Sequence, residues 1–596
     1  MNRGRRLLAA GGLVALIAAG TSAAKAGLPT PEANFATTIT KSACQAEPGN
    51  KFEEAQYGGE GWKATDGFTR YGSDCQRLHF AFGPINVKPG QNDVLLQPVT
   101  IEKPAYDGYM VRMRPDLVKV DGTVPPIEQV HLHHGTWLQL AGGTYGSGPF
   151  FASGEEKTIG DIPKGYGMPI KAADQWQLLY MVHNATAQPF EVYITYDIDF
   201  VPQAAVPKWN LQPAYPIWLD VGAADSSKSG YPVFNVQQKY GGTDGKCTWP
   251  KEYCADFDPW GGKSRNNGVV AQSAGTPYRF PAAGTSLGQI PNFQGGTLIG
   301  VGGHLHPGGI SVDIDQTRAG ASKRIFTSTA EYWDRKDNTK VGGPPTSWDL
   351  SMTTTGLPRW GVRVKPGDQI LMNATYDTTH QSTYENMGIA IAYVAPDKVD
   401  GTPTAQGLDV FDPATTFNSN PAAPNSDCLP KKALCEFGVV THGHMAEAGN
   451  FGGPDGSTTL AAMKGQATTR VDIAGFLYTP GDLTTIDIAG VPTVPLGSTL
   501  TFNNEDTAID VYHTVTSCGF PCKGATGTSF PLANDRRVDF DSAELGYGPP
   551  IFGPAANKLN FDLPVTDGNG FQPGQRYTYY CRIHPFMRGA FEVTAP

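Results

Sequence analysis

Glycine and proline interrupt this chain too often for long helices. There are 72 glycines and 48 prolines among 596 residues, and both types disfavour helix interiors while favouring turns. Between them lie short alternating runs such as Tyr193-Ile194-Thr195-Tyr196-Asp197-Ile198, rich in the β-branched and aromatic side chains that suit a half-buried strand. Helical periodicity is scarce. The chain therefore reads as all-β, with its chemistry carried on strands and on the loops that join them.

A chain this long exceeds what one hydrophobic core supports, so several domains are expected. A proline-rich stretch at 202–216 (PQAAVPKWNLQPAYP) suggests one boundary. Residues 397–430 have the Pro, Ala, Asn and Thr content of a linker. We expect a first β-sandwich over 27–205, a second over 206–396, a linker over 397–436 and a last domain over 437–596. No internal repeat stands out. A net charge of −10 with 17% charged residues offers no basic patch for a phosphate backbone, and no nucleic-acid partner is expected.

Residues 1–26 have the form of a signal peptide: Arg3, Arg5 and Arg6, then the apolar run 7–20, then Ala24-Lys25-Ala26, with cleavage expected near Ala26. That run is shorter than the ~20 residues that cross a bilayer. A periplasmic or secreted protein without a membrane span is expected, and Arg5-Arg6 is compatible with twin-arginine as well as general export. The nine cysteines suit an oxidising compartment and pair by proximity as Cys44–Cys75, Cys247–Cys254, Cys428–Cys435 and Cys518–Cys522. Cys581 is left over.

Cys581 lies in YYCRIHPFMRG, which also carries His584 and Met587, and His513 stands in VYHTV well upstream. A thiolate and two imidazoles with a weak thioether are the donors of a blue (type 1) copper site. Of the 12 histidines, His79 stands apart and reads as structural. In GGHLHPGG, His304 and His306 project from one face of a strand and can share one metal ion. Met387 follows some 80 residues later, and a thioether beside two imidazoles favours copper. Earlier, His131, His133 and His134 in VHLHHG precede His183 in YMVHN. A regular strand would put His131 and His133 on one face and His134 on the other, leaving open which of them join His183. His442 and His444 in THGHM have the spacing for a further metal site. His380 lies near Met387.

The last domain resembles cupredoxins, amicyanin in particular, through its C-x-x-H-x-x-M loop with Pro585 and Phe586 and through the strands flanking it. The order of HH, a lone His, an H-x-H pair and then a Met before a strand resembles the copper type II monooxygenases, such as peptidylglycine α-hydroxylating and dopamine β-monooxygenase. That resemblance covers roughly residues 100–396. It implies two antiparallel β-sandwiches, each with one copper, ahead of a Greek-key cupredoxin domain. His133, His134 and His183, with His131 a substitute, would form an electron-supplying site. His304, His306 and Met387 would form the catalytic, oxygen-activating site.

One blue copper and two further mononuclear coppers are thus expected, with dioxygen, a small-molecule substrate and an external electron donor as partners. Met387 is followed by Gly388-Ile389-Ala390-Ile391 and no arginine immediately precedes His304, so a rather apolar substrate fits better than a peptidylglycine. A multicopper oxidase or nitrite reductase is the alternative enzyme class. It lacks support from a His-Cys-His motif, because Tyr580 and Arg582 flank Cys581. A non-catalytic copper electron carrier is the other alternative.

Overall fold

The computed structural model describes residues 40–44, 70–88, 92–94, 98–125, 129–140, 148–154, 158–184, 186, 188–221, 271–274, 277–287, 290, 292–306, 309–334, 339–341, 350–357, 359–376, 387–418, 433–435, 439–441, 464–483, 490–506, 513–518, 540–542, 545–547, 557–581, 584 and 587–596. The signal-peptide reading, His380, His442 and His444 lie outside these, as do Cys247, Cys254, Cys428 and Cys522.

The fold is all-β. Among the described residues, helix is limited to Val206–Trp209 and the single turns Gly72–Asp74 and Asp567–Asn569. None of the described helices is long and apolar enough to cross a membrane.

The first sandwich packs two sheets. One has Gln76–Val87, Phe190–Pro202 and Gly108–Lys119 at its centre; the other pairs Gln175–Asn184 with Val130–Leu140 and Gly148–Gly154. Alternate side chains of these strands, including Phe80, Met113, Trp137, Trp176, Leu178 and Tyr196, fill the space between them. On the outer side of the first sheet the alternation turns ionic. Arg77 grips Asp199 with two hydrogen bonds of 2.8 and 3.0 Å, and His79 and Arg114 share Asp197 at 2.8 Å each. His79 thus has an ordinary structural partner. Cys44 and Cys75 form a disulfide beside this face, and Cys518 is also disulfide-bonded.

The second sandwich is built from a 12-stranded sheet that runs Tyr215–Asp220, Gly388–Pro396, Gly296–Leu305, Leu350–Gly356, Ala321–Asp334, Gly309–Arg318, Gln369–Tyr376 and Ala271–Ala274 along its main path. The long strand Ala321–Asp334 pairs first with Gly309–Arg318 and then with Leu350–Gly356, carrying the chain from one half of the sheet to the other. Leu298, Val301 and Leu305 face its own core with Phe326, Trp360 and Met372, whereas Ile299, Tyr393 and Ala395 belong to the core of the first sandwich. The two sandwiches therefore share a packed boundary.

Residues 397–412, expected within a linker, are packed against both sandwiches. Tyr166 Oη donates to the Thr404 carbonyl at 2.9 Å, and Thr297 Oγ1 donates to that of Ala405 at 3.1 Å. Val410 enters the second core. Composition suggested a free linker because apolar residues are sparse there, but backbone and side-chain hydrogen bonds do the anchoring. Val439–Thr441 then pairs with Leu350–Gly356, so the chain returns to the second sandwich before the last domain begins.

That last domain packs a five-stranded and a four-stranded sheet around Val471, Tyr478, Phe502, Leu563, Tyr579 and Phe591. Its pairing is mixed: Val491–Pro495 runs parallel to both Gly465–Ala467 and Arg588–Thr594.

Candidate metal centre

Cys581 follows directly on the strand Arg576–Tyr580, and Met587 precedes the strand Arg588–Thr594 that pairs with it. Two backbone hydrogen bonds, Cys581 N–H to Met587 O at 3.1 Å and Met587 N–H to His584 O at 2.8 Å, close the loop between them. His513 is brought beside this loop by its bridge to Leu545. The Cys581 Sγ lies 3.8 Å from His584 Nδ1, and the two Nδ1 atoms of His584 and His513 are 3.3 Å apart. An ion held roughly 2.0–2.3 Å from each donor in a near-trigonal plane sets its donors roughly 3.5–4 Å apart. The observed separations are close to that.

The surroundings favour a thiolate. Burial alone would raise the Cys581 pKa, but the imidazoles of His513 and His584 hold it well below the usual thiol value. The backbone N–H groups of Thr514 and His584 both donate to Sγ, at 3.3 Å. All four residues, with Met587, are buried. Asp506 orients the site from outside: its Oδ2 sits 2.9 Å from His513 Nε2, and the carboxylate also accepts from the N–H groups of Gly475 and Phe476 at 2.8 and 3.2 Å. The Phe476 ring stands edge-on to both imidazoles, at 5.4 Å from His513 and 5.1 Å from His584.

A second centre lies where the two larger sandwiches meet. Nitrogens of His133, His134 and His306 all fall within 4.8 Å of one another. The rings of His133 and His306 are 4.0 Å apart, and that of His304 is 5.2 Å from His306. The local cause is a β-bulge. Along Gln175–Asn184, Met181 pairs with His134 and the next residue, Val182, pairs with Leu132, so the register shifts by one residue at His133. The extra residue breaks strict alternation, so His133 and His134 both reach His306. His134 Nδ1 is buried without a hydrogen bond. Burial and the imidazoles of His133 and His304 press the His134 pKa well below the usual histidine value, which keeps it in the neutral form that binds metal.

The grouping differs from the expected one in two respects. His183 faces His131, its cross-strand partner, with rings 4.9 Å apart, and the three-nitrogen cluster joins His133 and His134 to His306 in place of His183. His304 and His306 are therefore not held apart from the HLHHG histidines. The spacing rules could not reveal this, because they treat each strand alone and the bulge is a property of a strand pair. Met387 is buried, and the Tyr376 hydroxyl ties it to His306: it accepts from the His306 N–H at 2.9 Å and donates to the Met387 carbonyl at 2.5 Å.

The two centres are linked. The His183 ring lies 6.1 Å from that of His584, and the His131 ring lies 6.0 Å from that of His133. A third grouping of metal-binding residue types, Cys44, Cys75 and Asp199, has its sulfurs joined in the disulfide and is not a metal centre.

No family model matches the chain, and no curated protein does. Among solved structures it is similar to a purple cupredoxin from Nitrosopumilus maritimus, at 20% identity over 22% of this chain and 100% of that one, with a TM-score of 0.14. An oxidized amicyanin variant is 23% identical over 21% of this chain and 79% of its own, with a TM-score of 0.12. A copper-containing nitrite reductase from Thermus scotoductus SA-01 is 14% identical, with a TM-score of 0.14, over 50% of this chain and 55% of the reductase. The chain thus spans just over half of that reductase. Likenesses this slight decide nothing about the centres, whose chemistry rests on their own geometry.

Proposed function

We propose that this protein is a copper-dependent oxidoreductase: electrons from an external donor enter at the Cys581 centre and are used at the imidazole cluster between the two larger sandwiches, with dioxygen as acceptor. The observation that carries this reading is the continuous series of buried rings between the centres. His584 faces His183 at 6.1 Å, His183 faces His131 at 4.9 Å, and His131 lies 6.0 Å from His133 in the cluster.

Thiolate, two imidazoles and the Met587 thioether fit a blue copper ion; neutral imidazoles of His133, His134 and His306, with His304 beside them, fit copper as well. Bound copper supplies reversible one-electron chemistry that these side chains lack. The chain's own contribution is arrangement. Thr514 and His584 N–H groups stabilise the thiolate, Asp506 fixes the His513 ring, and Phe476 shields both imidazoles. Burial of every ring in the series excludes water from the path.

A second reading, hydroxylation of a C–H bond in a small and rather apolar substrate, draws on Met387, whose backbone carbonyl is joined to the His306 N–H through the Tyr376 hydroxyl. It requires two single-ion sites, whereas the closeness of His133 and His306 favours one shared centre.

The readings separate in one experiment. Copper-loaded protein is reduced without air and mixed with dioxygen, and the return of the blue colour is followed in wild type, His183→Phe and Met387→Ile. The colour is expected to return many-fold more slowly in His183→Phe, at unchanged intensity and reduction potential; an unaltered rate would overturn the proposed path. Met387→Ile is expected to keep dioxygen uptake, and loss of a hydroxylated product in that variant would favour the second reading.

A further inference from the structure

A cavity of about 80 Å³ lies between the first two sandwiches and has His304 in its lining. Its origin is readable in the strand Gly296–Leu305. A bulge between Leu298 and Gly300 resets the alternation, after which Val301 and Leu305 point into the second core. Gly300, Gly302 and His304 consequently share the opposite face, toward the first sandwich. Two of three successive positions on that face have no side chain, and the missing volume is the cavity. A Cβ on Gly300 would meet nothing nearer than the Thr355 carbonyl at 3.4 Å, so the space is open rather than forced by backbone contact. Ile389 and Ile391 line it on one side, Phe151 and Ile159 on the other. The carboxylate on its wall, Asp161, is committed to an ion pair with Arg70.

We propose that this cavity is a binding site for a small uncharged gas, dioxygen in the working enzyme, and that it serves as the antechamber to His304. Size and lining carry the inference. A dry apolar cavity of ~150 Å³ accommodates benzene or xenon; about half that volume admits a diatomic molecule and excludes an aromatic ring. The lining is mostly apolar, with isoleucine, phenylalanine, alanine and bare glycine backbone beside Thr158, Thr354, Thr355 and Tyr393, and no unpaired charge in it would compensate an ion for its lost hydration. The cavity is partly open to solvent, and among its lining residues is His304, whose ring stands 5.2 Å from that of His306 in the imidazole cluster. The identity of the gas as dioxygen rests on the function proposed above; the existence of the gas site does not.

The test uses xenon on crystals of the full protein, together with steady-state oxygen kinetics. Wild type is expected to bind xenon in the cavity under pressure. Gly300→Val should exclude it, and Gly300→Ala, the milder substitution should the larger one fail to fold, should weaken it. The same variants should raise the KM for dioxygen severalfold in that order. The rate at which an external reductant bleaches the Cys581 centre should stay unchanged. Absence of xenon from the wild-type cavity would overturn the gas site. Xenon lost from Gly300→Val with no change in the KM for dioxygen would overturn its role as the antechamber. A protein that binds xenon there but consumes no dioxygen would contradict the proposed function and leave the gas site standing.

Discussion

Asp506 holds three donors at once, and two of the three belong to the turn that positions Phe476 over the imidazoles. Burial pushes its carboxyl upward, but His513 and the backbone N–H groups of Gly475 and Phe476 hold it below the usual carboxylate range. It is therefore an acceptor at neutral pH, and by engaging His513 Nε2 it leaves Nδ1 as the nitrogen turned toward His584. Loss of such an outer partner typically weakens metal binding by about 10–100-fold. Asp506→Asn is expected to lower copper affinity at the Cys581 centre by that order while copper at the imidazole cluster is retained, as a competition titration with a copper chelator would register. That Cys581, His584 and His513 gather was legible in the sequence, because residue types that suit one metal ion stand at a recognisable spacing. Asp506 and Phe476 were not: one of many exposed-looking acids and one of 28 phenylalanines carry no spacing signal. The nearest hint was the polar run Asn503-Asn504-Glu505-Asp506 ahead of the histidine.

At the scale of elements, the packed segment after residue 397 shows where composition misleads. Asp409 receives Arg318 at 2.7 Å and Lys365 at 2.8 Å, and Arg318 also grips Asp368 at 2.8 Å. Although burial raises the Asp409 carboxyl, Lys365 and Arg318 hold it below the usual range. A carboxylate depressed in the folded state adds stability that is complete above its unfolded pKa of roughly 4 and is lost as pH falls through the folded value. Asp409→Asn is expected to cost roughly 1–3 kcal/mol at neutral pH and to flatten the fall in stability below about pH 4. Denaturant unfolding at pH 7 and pH 3 checks both, and an equal loss at the two pH values would contradict the assignment. The all-β class was legible from turn residues and alternating runs. The bulges at His133 and Ile299 were not, because a bulge depends on how a partner strand aligns, and these two set the sites.

At the scale of the whole molecule, metal-binding residue types from three sandwiches come together in one series of buried rings. The first supplies His131, His133, His134 and His183, the second His304, His306 and the Met387 side, and the third the Cys581 centre. The sequence said nothing of how the sandwiches face one another, and the resemblance to the copper type II monooxygenases implied one ion in each of the first two. The measurement that tests the shared centre most directly is copper analysis by metal content and electron paramagnetic resonance on His133→Gln, His306→Gln and the double variant. If the first two sandwiches build one centre, each single variant loses the same copper signal and the double variant loses no more, with the blue signal intact in all three. Different signals lost in the two single variants, adding in the double, would show two independent sites and contradict the account.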